Sequence, residues 1–286
     1  MSQHPKAELQ QVSDTDIEDV TLFLEENMKR GIRAKEFRTI FEYPWLATKP
    51  TLGYLLRAEN KVVGFAGGFF AERMIGGRVE KFCNLTNWCV LPEYRTQSLS
   101  LISGIINRRE YTITQLTPIP SVEALFWAMR YRLLNEFKLF SLPLAHCWTL
   151  LRRPKFLYGH SDERFGAYIT EDERKAVVNH EGTGCKHLVL GDGKDVCCLV
   201  WKRRKKKGVA FSEILYVRNA QLLLRHFERV KLHIMASDLV GLVAVDERLL
   251  GCRPRFVMRY RRVSLYKSDR LEPEQIDNLY SELVYF

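Results

Sequence analysis

No stretch of this sequence approaches the ~20 consecutive apolar residues that a membrane-spanning helix needs. The N-terminus carries His4, Lys6 and Glu8 where a secretory leader would place an apolar segment, so no leader is expected. Cysteine is sparse and unpatterned: seven residues, an odd number, with no Cys-x-x-Cys and no histidine at zinc-ligand spacing. Those absences exclude a disulfide framework and a structural zinc site, and no metal is expected. They point to reduced thiols, mostly in a core, in a cytoplasmic protein. A helix-turn-helix pattern and an RNA-binding aromatic signature are also missing.

What is present suits a packed protein. The 286 residues are 46% apolar, enough for one large domain or two of about 130 to 150 residues. The formal charge of +10 favours anionic partners such as cofactor phosphates, nucleic acid or an anionic lipid surface. Six positive charges are contiguous in residues 202–207, between two apolar runs. This run reads as a solvated hairpin tip, with a nucleic-acid or membrane patch as the alternative.

Residues 84–108 organise the chain. Residues 84–90 are rich in strand-forming and aromatic types, and Leu99, Ile102, Ile105 and Ile106 recur at the spacing of one helical face. A strand is therefore expected to run directly into a helix whose first turn is polar and small. Such a junction presents unpaired N–H groups at the positive end of the helix dipole, which suits a phosphate or diphosphate. Arg95 adds a full charge beside them. A strand-helix junction of an α+β domain without any ligand is the alternative.

Here the sequence resembles the GNAT superfamily of acyl-CoA-dependent N-acyltransferases. Its Val-x-Pro-Glu-x-Arg segment is matched by residues 90–95, Val-Leu-Pro-Glu-Tyr-Arg. In the Arg/Gln-x-x-Gly-x-Gly/Ala turn that follows, Ser98 and Ser100 stand where the family has glycine and glycine or alanine. Serine keeps the backbone N–H and adds a hydroxyl that can itself bond a phosphate oxygen. The resemblance implies a cofactor site at Val90, Leu91, Arg95, Thr96, Gln97, Ser98, Leu99 and Ser100, with acetyl-CoA or another acyl-CoA as cofactor.

The order of predicted elements agrees with that fold. A possible edge strand at residues 9–12 precedes a helix boxed by Ser13 and Asp16, with Ile17, Val20, Leu24 and Met28 on its stripe. A second helical piece, 34–41, follows; Phe41, Tyr43 and Trp45 are acceptor-pocket walls by the resemblance and ordinary core by residue type. Strands at 52–58 and 61–71, joined at Glu59-Asn60, and a turn at 74–78 containing Gly76-Gly77 that leads into the strand ending at Val90 make an antiparallel meander that delivers the chain to the junction. A short strand at 111–116, a helix at 122–134 and further strand pairing at 137–150 complete the copy.

Beyond a linker at residues 152–155 the pattern partly repeats, the turn at 191–194 matching the one at 59–61. The fold class expected is α+β (α/β): a GNAT-like mixed sheet flanked by helices, duplicated in tandem. Residues 1–153 form the acyl-CoA-binding domain and 154–286 a degenerate copy, because residues 218–224 contain no small polar turn. Strands at 239–245 and 257–266 and a helix at 273–284 end the chain.

Acyl transfer from a thioester to an amine needs a polarised carbonyl, a deprotonated amine and a protonated leaving thiolate. The backbone N–H near Val90 is the candidate for the first. Asn84, Thr86 and Asn87, polar in an apolar strand, bind the acceptor or hold a water, or else reflect sheet-face alternation. Tyr131, placed on the helix after Pro120, is the candidate thiol-protonating acid, or a packed amphipathic tyrosine. Glu80 lies at the start of the strand, which offers no carboxylate within it. The function expected is transfer of an acetyl or other short acyl group to an amine or hydroxyl of a small-molecule or sugar-like acceptor. The alternatives are a non-catalytic binding or scaffolding protein of the same fold and, on charge alone, a nucleic-acid binder.

Overall fold

The structure is a computed structural model and describes residues 6–28, 31–206 and 208–286. It divides into two compact units. The first comprises residues 1–116, 266–271 and 280–286, and the second 117–265 and 272–279.

In the first unit β1 (Glu8–Gln11), β2 (Tyr54–Ala58), β3 (Lys61–Ile75) and β4 (Arg78–Val90) form an antiparallel meander, and β5 (Tyr111–Gln115) lies parallel to β4. The hairpins are tight because their turn residues tolerate positive φ: Glu59 and Asn60 at 48° and 61°, Gly76 and Gly77 at 58° and 79°. Three helices, Ile17–Asn27, Ala34–Phe37 and Thr39–Glu42, cross between β1 and β2. Val20, Leu24, Phe37, Ile40 and Phe41 pack there on Phe65 and Phe69 of β3. The expected box at the first helix is present, the Asp16 carboxylate accepting from the Ser13 N–H at 2.9 Å. Helix Ser98–Ile106 joins β4 to β5.

The second unit repeats this plan. After β6 (Arg132–Ser141), strands β7 (Phe156–Gly159), β8 (Cys185–Gly191), β9 (Val196–Lys206) and β10 (Val209–Arg218) form a second antiparallel meander. Helices Ala220–Arg225 and Phe227–Asp238 lead to β11 (Val243–Asp246), parallel to β10. Strand β6 pairs antiparallel with β11, and β12 (Met258–Lys267) follows. The duplicated α+β arrangement is thus four antiparallel strands, a helical connection and a parallel fifth strand, made twice.

Several expectations are corrected. A boundary after residue 153 falls inside the second unit, because β6 bonds to β11. The helix expected at 122–134 ends at Ala128, and Arg130 at φ 62° turns the chain into β6. Past β6 the chain forms a 3₁₀ helix, Cys147–Leu151, where strand was expected. The helix expected at 273–284 is instead the 3₁₀ turn Pro273–Gln275 and a single turn, Glu282–Tyr285. Asp277 and Ser281 side chains accept from the N–H groups of Leu279 and Leu283, competing with a continuous helix. Residues 202–206 form the end of the β9–β10 hairpin, Lys206 pairing with Val209, and Arg203, Lys205 and Lys206 are exposed as a hairpin tip would be. The ladder reaches further into the run than expected, and Arg203 donates to the Asp238 carbonyl while Arg204 pairs with Glu213 at 3.2 Å. Lys207 lies outside the described residues.

His187 of β8 is 4% exposed, and burial, then the charges of His180 and His160, hold its imidazole down to about 3. The unfolded chain binds this proton near pH 6.5, the folded chain only near 3, so its contribution is complete above 6.5 and is lost as pH falls. Stability is expected to decline by at most about 1.4 kcal/mol per pH unit below 6.5 from this group. Urea melts of His187→Leu between pH 7 and 5 should show a flatter dependence than the wild type.

Candidate active site

Strand β4 and strand β5 stay paired from Lys81 and Tyr111 up to Asn84 and Thr114, and their register ends there. Beyond this point β4 continues to Val90 and the two strands part, forming a fork. A bulge sits where they part: Thr86 faces Gly67 and Cys89 faces Phe65, so Asn87 and Trp88 together oppose Ala66. Asn87 has φ 53°, a conformation that asparagine tolerates better than other residues with a Cβ. Bulges re-aim side chains and end strand pairing, and this one does both at the mouth of the fork.

Two polar side chains at the fork have buried atoms without partners among the described residues. They are Asn87, both Nδ2 and Oδ1, and Gln115, Oε1, at the end of β5. Asn87 is only 3% exposed. Leaving such atoms unsatisfied costs about 1–3 kcal/mol each, so a group that normally occupies the fork is the economical explanation.

Asn84 is differently placed from expectation. Its Nδ2 spans the fork to Thr114 Oγ1 at 3.2 Å, and its Oδ1 accepts from the Glu282 N–H at 2.8 Å. Asn84 is a clamp between β4, β5 and the end of the chain. Thr86 Oγ1 donates to Glu282 Oε2 at 2.7 Å. A carboxylate that β4 lacks beyond Asn84 is therefore delivered to it from residue 282, and Glu282 is 4% exposed. Glu80 has Arg270 at 3.5 Å.

The single turn Glu282–Tyr285 is anchored by rings. Tyr285 stacks on Phe69 and Trp45 at 5.3 and 5.5 Å, Tyr280 meets Trp45 edge-on at 5.4 Å, and Phe286 lies 5.7 Å from Phe37. Tyr43 stacks on Trp45 at 4.8 Å, and its hydroxyl accepts from the Phe70 N–H. Burial raises the Tyr43 phenol above its ordinary range. Phe41, Tyr43 and Trp45 thus serve as core around the chain end.

The cradle is also altered in detail. A 3₁₀ helix, Pro92–Gln97, stands between β4 and helix Ser98–Ile106, where a direct junction was expected. Pro92 at its start cannot extend the strand ladder. The Leu91 N–H is committed to the Val63 carbonyl at 2.9 Å, and the Ser98 N–H to the Arg95 carbonyl. Ser100 turns its hydroxyl back to the Gln97 carbonyl at 2.6 Å, the usual i−3 bond of a serine in a helix, so it does not intrude on the mouth. The Gln97 side-chain oxygen accepts from the Ala7 N–H at 3.2 Å. Arg95 and Thr96 are exposed, and Val90 and Ser98 half-buried. Leu99, expected on the buried stripe, is 47% exposed, and Leu101 takes its place beside Ile102 and Ile105.

Tyr131 follows the helix rather than lying on it, and it belongs to the second unit. Its ring packs edge-on against Phe126 at 4.5 Å and is 3% exposed. Among the described residues no group of three or more His, Cys, Asp or Glu stands ready to hold a metal ion.

The second unit has the same bulge, between Ile214 and Tyr216 of β10, but its fork is filled. The Leu215 carbonyl accepts from the Asn278 N–H at 3.1 Å, and Asn278 Nδ2 donates to Asp246 at 2.8 Å. Buried Lys138 pairs with Glu213 and, at 3.4 Å, with Asp246. The following helix is capped by Asn219, whose side chain accepts from the Leu222 N–H at 3.0 Å.

Sequence reasoning missed Gln115 and Glu282. The first carried no pattern, and the second stood in a stretch whose apolar spacing resembled an ordinary helix.

No protein-family model matches the sequence, and no curated protein matches it. Solved structures do match it in shape. A GCN5-related N-acetyltransferase from Kribbella flavida is 14% identical with TM-score 0.59, the match covering 92% of this chain and 71% of that one. A tandem GNAT protein from the clavulanic acid biosynthesis pathway is 14% identical with TM-score 0.56, covering 93% and 100%. The N-myristoyltransferase of Saccharomyces cerevisiae, solved with bound myristoyl-CoA, is 13% identical with TM-score 0.50, covering 98% and 85%. The chain has the fold of the GNAT N-acetyltransferases in its tandem form.

Replacing Thr86 by valine removes the hydroxyl that holds the buried Glu282 carboxylate. Thr86→Val is expected to lower stability by about 1–3 kcal/mol in urea titrations, and Ser100→Ala, which removes only a local bond within the helix, by less than about 1 kcal/mol.

Proposed function

We propose that the first unit binds an acyl-CoA at the fork and transfers its acyl group to an amine or hydroxyl of a small-molecule or sugar-like acceptor. The observation that carries this reading is the pair of buried, unpartnered polar side chains, Asn87 and Gln115, where β4 and β5 part beside the bulge. Arg95 and the first-turn amides of helix Ser98–Ile106, other than that of Ser98, which is bonded to the Arg95 carbonyl, hold the diphosphate of the cofactor, acetyl-CoA being the first to test. Bulge amides near Val90, with Asn87, polarise the thioester carbonyl, in the manner of an oxyanion hole. Glu282, oriented by Thr86 and Asn84, takes the proton that the attacking nitrogen loses.

The rival is a non-catalytic protein of the same fold, favoured by the aromatic packing of residues 280–286 around Trp45. Titration calorimetry with acetyl-CoA separates the two. Saturable binding with CoA release in the presence of an amine supports catalysis, whereas absence of both in the wild type refutes it.

Acetyl-CoA is expected to raise the melting temperature of the wild type and to have no effect on Arg95→Glu. Glu282→Gln, which keeps an acceptor for Thr86, should retain the shift yet release CoA about a hundredfold more slowly. An unchanged rate would remove Glu282 from the chemistry.

A further inference from the structure

The second unit carries a surface that acyl transfer does not use. It is built from residues 142–155 and 251–262, which hold three and five Lys or Arg residues respectively and no Asp or Glu. The same stretches turn large apolar side chains to solvent. Leu142, Leu144, Trp148, Leu151, Phe256 and Met258 are between 48% and 88% exposed.

The two stretches meet at their rings. The Trp148 and Phe256 rings are 5.8 Å apart, and the His146 ring lies 2.6 Å from the Arg255 carbonyl. An open hollow of about 380 Å³ between the stretches is lined by His146, Trp148, Phe227, Pro254 and Arg255. Around it Arg152, Arg153, Arg253 and Arg255 are exposed. Arg259 and Arg261 are spent on Glu247 and Glu123, each at 2.8 to 2.9 Å.

The exposure is imposed from beneath. Glu228 and Lys231, both fully buried and 2.8 Å apart, clamp the backbone of the first stretch. Glu228 accepts from the N–H groups of Leu144 and His146, and Lys231 donates to the Leu142 carbonyl at 2.7 Å. An ion pair without access to water is thereby used to hold leucines outward.

Large apolar side chains exposed on two stretches that meet, with arginines beside them, mark an interaction site rather than scattered surface exposure. A polynucleotide would engage the arginines and stack on the rings, but it has nothing to offer Leu142, Leu144, Leu151 and Met258. The boundary between headgroups and acyl chains satisfies all of them: leucine, methionine and phenylalanine enter it, tryptophan sits at headgroup depth, and arginine meets lipid phosphate. Among the described residues no helix is long and apolar enough to cross a membrane, so the contact would be peripheral. We propose that residues 142–155 and 251–262 form a docking surface for an anionic lipid bilayer.

The test uses the full chain and vesicles of phosphatidylcholine, with or without about a third phosphatidylglycerol, separated by sedimentation. Binding to the anionic vesicles is expected to be at least about tenfold tighter than to neutral ones and to weaken between 0.1 and 0.5 M salt. Leu151→Ser with Phe256→Ser should weaken it about tenfold or more, as should Arg152→Glu with Arg153→Glu. All four side chains are exposed, and circular dichroism checks that the fold survives. Absence of vesicle binding, indifference to lipid charge, or undiminished binding by both variants overturns the proposal. So does tighter, salt-sensitive binding to a single-stranded oligonucleotide, or a dimer in light scattering that the Leu151→Ser, Phe256→Ser variant dissolves. None of these readouts depends on acyl transfer.

Discussion

The two hydrogen bonds that tie Glu282 to Asn84 and Thr86 join parts of the chain 196 to 198 residues apart. They bring the last residues onto the strand around which the first unit is built. Beyond Asn84, strand β4 contributes no carboxylate of its own. A polar pair on it, one residue apart on either side of Leu85, receives the missing group instead. The aromatic anchors of the chain end, Tyr280, Tyr285 and Phe286, pack against Trp45, Phe69 and Phe37 and keep the carboxylate in place. The core of this unit is therefore complete only when residues 280–286 are in place.

The two copies show how one backbone device serves two ends. Each has an antiparallel meander, a bulge in its fourth strand and a parallel fifth strand beyond a helical connection. In the second, the space beside the bulge is occupied by the Asn278 backbone and by Lys138, Glu213 and Asp246, which satisfy one another. Burying those charges is offset only because each has a partner in place. In the first, Asn87 and the Gln115 Oε1 have no such partners among the described residues. The same fork is closed by its own side chains in one copy and left with unmet polar atoms in the other, and that difference places the proposed chemistry in the first.

The legible parts of the fold were those that short-range rules govern. Turns at Glu59-Asn60 and Gly76-Gly77 were visible because few residues accept positive φ, and the antiparallel strands because their apolar runs are long. The box at Ser13 and Asp16 was equally plain. The helix stripe after the cradle was misread at one position, Leu99 for Leu101, since five apolar residues among 99–106 fit more than one face. By composition the serines of the cradle offered hydroxyls to a phosphate. In the folded chain Ser100 turns to the carbonyl three residues before it, a choice that depends on the helix being there.

By itself, then, the sequence determined the duplicated strand-and-turn plan, the basic balance and the polar interruption of β4, because each is written in neighbouring residues. Tertiary structure alone decided that β6 joins the second unit, that the fork of one copy is filled and the other is not, and that residue 282 faces Thr86. It also decided which leucines of 142–151 face water, through a buried pair on another helix. All of these are meetings of residues far apart in the chain, and no local propensity encodes which distant partner will satisfy a buried charge.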